Sequence, residues 1–305
     1  MLSFSHHLEQ GNVVQTSHNH SPTPMQSQSP PSKLKDVLRR KLPPLFQALK
    51  TTWTLRERLR VSKGLEAIER LKALSIAELR DPLVVEGLIK AAGLHTSGAD
   101  KAFPGQASEW PKELDPFIGK GIQIWQYPSQ FSNYLAFLSQ FPIHSYLEIG
   151  VSYGGTFVFT VDYLTRINTS IKAFCIDVRP PSLLIDQYAK TREFAYITDK
   201  SSALYHHLDP KTHFDLVLVD GDHSRKGVME DFLLVKDKAN IIAFHDIVNF
   251  LTPGAVEAWL DLKSQHADEF DFFEFTQQYA ELTSKQPENQ LLGIGVAVKK
   301  DMRST

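Results

Sequence analysis

From about residue 145 to residue 263, apolar runs of strand length alternate with segments of helical periodicity, and no other feature constrains the fold as much. Strands are predicted at 145–150, 172–178, 194–197, 214–220 and 240–245, and helices at 156–164, 182–190, 201–208, 225–236 and 253–263. The strands are almost continuously apolar, as strands covered on both faces must be, and a strand, helix, strand order joins parallel neighbours. Two further strands, at 270–275 and 292–298, are separated by a long polar stretch without a clear crossover helix, so they are expected to pair antiparallel at the sheet edge. The expected fold is Rossmann-like α/β: a seven-stranded, mostly parallel sheet with an antiparallel last strand, helices on both faces, and an N-terminal helical extension.

Three regions are expected. Residues 1–32 are rich in Ser, Gln, His, Asn and Pro and read as a disordered tail, because such a composition buries too little apolar surface to offset ordering entropy. His6, His7, His18 and His20 within it read as solvated. Residues 33–120 read as a helical extension and linker, with Leu34, Leu38 and Leu42 four apart and Leu65, Ile68, Leu71 and Leu74 three apart. Between residues 33 and 72 this extension carries twelve Lys and Arg against four Asp and Glu, which reads as a solvated helical face. Residues 121–305 form the α/β domain. Its first segment alternates, placing Gln123, Trp125 and Tyr127 on one face, either packed against the sheet or forming a wall over a ligand.

Over the 305 residues, 33 basic side chains against 35 acidic ones argue against nucleic acid as an obligatory partner. No apolar run reaches the roughly 18 to 20 residues that a membrane span needs. The single cysteine, Cys175, lies in an apolar run and reads as a core residue in a reducing compartment. A cytoplasmic protein is the expectation.

Candidate site residues gather at strand ends. The stretch 146–155, Tyr-Leu-Glu-Ile-Gly-Val-Ser-Tyr-Gly-Gly, runs from a strand through a glycine-rich turn into a helix. Gly150, Gly154 and Gly155 let the backbone turn tightly and approach a ligand, while the helix start offers unpaired N–H groups. Asp177 ends the second strand, about 27 residues after Gly150, where an acid can accept hydrogen bonds from both ribose hydroxyls. Asp220, Asp222 and His223 follow the fourth strand, and His245 and Asp246 end the fifth. In an open parallel sheet such ends converge at the point where the winding reverses.

On these residues the chain resembles the class I S-adenosylmethionine-dependent methyltransferases over about residues 121–300. Glu148, Gly150, Tyr153, Gly154 and Gly155 match that superfamily's first motif, Asp177 its ribose-binding acid, and Ser201 the helix start that meets the adenine edge. More narrowly, 217–230 and 241–246 are similar to the branch that contains macrolide-sugar O-methyltransferases and cephalosporin hydroxylase-like proteins, the methyltransferase family 24-like group. That resemblance implies S-adenosylmethionine held by Glu148, Gly150, Tyr153, Gly154, Asp177, Ser201 and Asp220. It also implies a divalent cation, Mg or Mn, on Asp220, His245 and Asp246, and His223 as the catalytic general base.

The implied reaction is O-methylation of a hydroxyl on a small polar or sugar-containing metabolite. A homo-oligomer through the N-terminal helices is a further expectation. Position 245 is usually acidic in the metal-dependent members, and a neutral imidazole weakens magnesium relative to manganese, iron or zinc. Two alternatives stand beside this reading: a methyltransferase-like scaffold that binds a partner through its basic helices, and an NAD-dependent oxidoreductase. The Gly-x-x-x-Gly-Gly spacing from Gly150 speaks against the latter, which uses Gly-x-Gly-x-x-Gly.

Overall fold

The computed structural model describes residues 43–96, 110–280 and 290–300. The expected tail at 1–32, its histidines, and the helical start with Leu34 and Leu38 lie outside these residues.

Seven strands form one sheet: β1 (Ser145–Ile149), β2 (Lys172–Asp177), β3 (Ala195–Thr198), β4 (Phe214–Val219), β5 (Ala239–His245), β6 (Phe270–Phe275) and β7 (Ile294–Lys299). Their order is β3-β2-β1-β4-β5-β7-β6, with β1 to β5 parallel throughout. The last strand in sequence, β7, runs antiparallel to both its neighbours, β5 and β6, and inserts between them. The winding reverses between β1 and β4, so the cleft expected of an open sheet lies beyond Ile149 and Val219.

The helices are α1 (Pro43–Glu69), α2 (Ile76–Leu79), α3 (Pro82–Ala92), α4 (Pro128–Leu138), α5 (Gly155–Asn168), α6 (Leu183–Tyr188), α7 (Leu204–His207), α8 (Arg225–Val235) and α9 (Pro253–Gln265). Local chemistry sets several starts. Ser75 and Glu78 close a capping box on α2, Asp81 caps α3 with Pro82 in its first turn, and Ser224 caps α8 through the Gly227 N–H. The helix expected over 201–208 is instead a 3₁₀ turn, Ser201–Ala203, followed by the single turn of α7.

Two apolar layers sandwich the sheet. Phe232, Trp259 and Leu262 of α8 and α9 pack on one face with Leu147, Val217 and Phe244. On the other, Phe157, Leu164 and Leu184 share a cluster with Leu216 and Val296, and so do Val61, Ile68, Val85 and Ile89 of the N-terminal helices. The apolar core therefore runs continuously across residue 120. Polar contacts tie the same joint: Tyr163 Oη donates to the Leu79 carbonyl at 2.7 Å, and the Arg166 guanidinium donates to the carbonyls of Leu71 and Leu74 at 3.1 and 2.7 Å.

Residues 118–125 stitch the extension to the sheet. Leu94 bridges Ile118 and Ile124, and the Arg60 guanidinium donates to the Gly121 carbonyl. Gln123 takes φ +59, which breaks the expected alternation. Tyr127 is buried against Trp110 and Tyr279, while Trp125 stays 39 % exposed, so the two do not share a wall.

Gly121 sits at φ +54, where a Cβ would come 1.6 Å from the Ala92 carbonyl oxygen. Gly121→Ala should therefore lower stability by at least about 2 kcal/mol, combining left-handed backbone strain with forced separation of the extension. Chemical denaturation checks this, and an unchanged midpoint would show that the joint yields freely.

Candidate active site

The turn after β1 is built by two absences of Cβ. Gly150 has φ +84, and a Cβ there would stand 2.1 Å from the Asp220 carbonyl oxygen. Gly154, at φ +89, precedes α5, and no side chain caps that helix. Gly155 completes the approach, since its missing Cβ leaves room for the backbone of 122–124, whose Ile122 oxygen would be 2.7 Å away.

Asp177 braces this turn from the neighbouring strand. Its Oδ2 accepts from the N–H groups of Val151 and Ser152 at 2.9 and 2.8 Å, and its Oδ1 from the Arg179 N–H at 2.8 Å. Burial alone would raise its pKa, but the bonds from Arg179 and Ser152 outweigh burial and hold it below the usual carboxylate value.

At the ends of β4 and β5, two carboxylates and two imidazoles converge. His223 Nε2 lies 3.3 Å from Asp220 Oδ1 and 3.2 Å from Asp246 Oδ2. His245 Nδ1 lies 3.2 Å from the same Asp220 oxygen and 3.1 Å from Asp246 Oδ1. Asn249 Nδ2 donates to Asp246 Oδ1 at 3.0 Å and Thr252 Oγ1 to Asp246 Oδ2 at 3.2 Å. Asp246 itself adopts φ +63, a conformation costly to a side-chain-bearing residue and held here by those bonds.

Burial works against charge on both histidines, yet the carboxylates prevail. Bonds to Asp220 and Asp246 push His223 up to about 10, and the same two charges raise His245 well above its ordinary value. The two carboxyls are in turn held down by the imidazoles despite burial. A base role for His223 therefore requires that its ring first give up the proton that the carboxylates stabilise. One donor atom each from Asp220, His223 and His245 falls within 4.8 Å of the others, a spacing fit for a metal ion.

Residues 147–247, which hold both the turn and this cluster, match the model of a methyltransferase domain. The fold is Rossmann-like, a mostly parallel seven-stranded sheet with β7 antiparallel between β5 and β6. Among solved structures, the chain is similar to an O-methyltransferase from Bacillus cereus in complex with SAH, at 10 % identity and TM-score 0.42 over 56 % of this chain and 81 % of that one. It is also similar to the O-methyltransferase TomG from Streptomyces achromogenes, involved in tomaymycin synthesis and in complex with SAM (12 %, TM-score 0.42, 62 % and 85 %). A third is an rRNA methylase from Streptococcus thermophilus (12 %, TM-score 0.41, 54 % and 93 %). No curated protein matches the chain.

The remaining expected residues of the methyltransferase domain take different stations. Glu148 is 1 % exposed and accepts from the Tyr146 hydroxyl at 2.5 Å; burial raises its pKa well above the carboxylate range, so it lies sealed in the core rather than open to the cleft. Tyr153 packs its ring on His95 at 4.7 Å between centroids, and His95 stacks on Trp125 at 4.6 Å and 11°. Ser201 stands at the carboxyl of Asp231, which burial holds up at about 6 and which lies beneath Gly221.

Sequence reasoning missed Tyr146, His95 and Asp231. Asp231 alone had a signal, an acid on the apolar helical face of Val228, Phe232 and Val235.

Asp177→Asn tests the brace. A depressed carboxylate contributes stability that is present above its unfolded pKa of about 4 and is lost as pH falls through the lower folded value. The variant should lose roughly 1 to 3 kcal/mol at pH 7, and the gap to wild type should narrow below pH 4. Melting curves across that range read it, and a gap constant with pH would mean that charge is not what holds the turn.

Proposed function

We propose that this chain transfers the methyl group of S-adenosylmethionine to a hydroxyl of a small polar or sugar-containing metabolite, with a divalent cation at the Asp220, His245 and Asp246 positions. The observation that carries the reading is the contact of Gly150 with the Asp220 backbone: the glycine turn and the Asp/His cluster share one border. A ligand in the turn and an acceptor at the cluster would meet across that border.

The chain's own groups suit each part. The N–H groups that start α5 favour a carboxylate, Asp177 lies where ribose hydroxyls can donate to it, Ser201 lies towards an adenine edge, and Tyr153 closes the side. Asp220, His245 and Asp246 form a donor set of hard oxygen and imidazole nitrogen, and the buried His245 ring has neither nitrogen hydrogen-bonded among the described residues. A divalent cation held there supplies Lewis acidity that lowers the pKa of an acceptor hydroxyl. Asp220, His223, His245 and Asp246 would hold and orient an acceptor hydroxyl beside the glycine turn, and such orientation would supply much of the rate.

No helix among the described residues is long and apolar enough to cross a membrane. A cytoplasmic location and a homo-oligomer belong to the same proposal, the latter supported by Trp53, Leu55 and Leu59 standing exposed on α1.

Calorimetry with S-adenosylmethionine, S-adenosylhomocysteine and NAD separates the readings: the first two should bind and NAD should not. Asp177→Ala should weaken S-adenosylmethionine by roughly 1 to 3 kcal/mol, and wild-type affinity in a folded variant would remove Asp177 from the site. Once an acceptor is found, Asp246→Ala should abolish cation-stimulated turnover, whereas full activity in excess chelator would end the cation part of the reading.

A further inference from the structure

We infer that His223 is itself a ligand of the cation, so that the site presents two imidazole nitrogens and two carboxylates and selects a transition-metal ion over magnesium. The inference rests on the cation reading above and changes the role of His223 from base to ligand.

One donor atom each of Asp220, His223 and His245 lies within 4.8 Å of the other two, and Asp246 faces both rings. Asp220 Oδ1 has His223 Nε2 at 3.3 Å and His245 Nδ1 at 3.2 Å, and Asp246 offers one oxygen to each ring, at 3.2 and 3.1 Å. Ligands about 2.1 Å from an ion stand about 3.0 Å apart in an octahedron and about 3.4 Å apart in a tetrahedron, and these separations lie between the two. The ring planes lie 80° apart with centroids 6.2 Å apart, so both rings reach the cluster without stacking on each other.

Both rings meet the carboxylates only as ion pairs, but the His245 nitrogens are shut off from solvent and are left without a hydrogen bond. The His245 side chain is 9 % exposed, its Nδ1 faces both carboxylates, and neither contact has hydrogen-bond geometry. That nitrogen is aimed into the cluster without a bond there, which a cation between Nδ1 and the two oxygens would provide.

Asn249 and Thr252 fix the Asp246 carboxylate as outer-shell partners fix a ligand. Magnesium prefers an all-oxygen octahedron with several waters, whereas imidazole suits zinc, iron and cobalt, so each nitrogen in the set moves preference away from magnesium.

The test is metal binding to the full chain without acceptor, by calorimetry with Co(II) and Mg(II) and by the visible spectrum of the Co(II) form. Wild type should bind Co(II) far more tightly than Mg(II). His223→Gln should weaken Co(II) by at least about tenfold, the scale of losing even an outer-shell partner, and should change the visible bands while S-adenosylmethionine affinity and melting temperature hold.

Should the variant fail to fold, pulsed EPR of Cu(II)-loaded wild type replaces it: two coordinated imidazoles support the inference and one overturns it. Co(II) binding to His223→Gln with wild-type affinity and spectrum would overturn it and leave the cation reading standing. A wild-type chain that binds neither ion at millimolar concentration would remove the cation reading itself, and this inference with it.

Discussion

The missing Cβ of Gly150 is the constraint on which the site depends. Strands β1 and β4 are neighbours at the reversal of the sheet, and the Asp220 N–H donates to the Ile149 carbonyl at 2.8 Å, so the chain leaves both strands at one point. Any side chain at position 150 would collide with the Asp220 carbonyl. With glycine there, the turn folds over the start of the β4 loop, and the glycine turn and the Asp/His cluster come to lie side by side. The Asp177 carboxylate then secures the turn from β2 through N–H groups that would otherwise lack a partner.

The N-terminal helices enter this arrangement through backbone packing. Gly64 of α1 allows contact with Gly121 and Ile122, and Gly155 of α5 allows contact with Ile122 and Gln123, in each case at distances no Cβ would tolerate. The strand-like segment 121–124 is thus clamped between the extension and the helix that follows the glycine turn. A shift of α1 would be felt at the turn through two rigid backbone contacts, since packed interiors transmit displacement with little absorption.

The sheet was legible in the sequence because buried parallel strands must be continuously apolar, and each expected strand agrees with the observed one to within two residues at either end. The placement of β7 between β5 and β6 was not legible, since spatial order depends on which edge accepts the last hairpin and no residue pattern encodes that. The convergence of Asp220, His223, His245 and Asp246 followed from their positions at strand ends. What escaped was direction: that Glu148 lies sealed against Tyr146, that Asp177 spends both oxygens on backbone N–H groups, and that His223 turns its Nε2 to two carboxylates. Gln123 shows the same limit, because one residue in the left-handed region interrupts the expected alternation, and a polar, non-glycine residue gives no warning of that.

Four carboxylates crowd the ends of β1, β2, β4 and β5, and the protein offsets each charge by a different means. Glu148, enclosed in the core, has its pKa raised well above the ordinary range by burial. Asp177 keeps its charge by spreading it over N–H donors that belong to the turn and to Arg179. Asp220 and Asp246 keep theirs opposite two imidazoles. The first two solutions are fixed, since one is covered and the other is part of the turn's own framework. Only the third employs counter-charges that a cation can replace without unfolding a loop, because imidazoles can give up protons and remain in place as neutral donors. The chemistry of the cleft is therefore concentrated at Asp220, the one residue that borders the glycine turn through its backbone and the exchangeable cluster through its side chain.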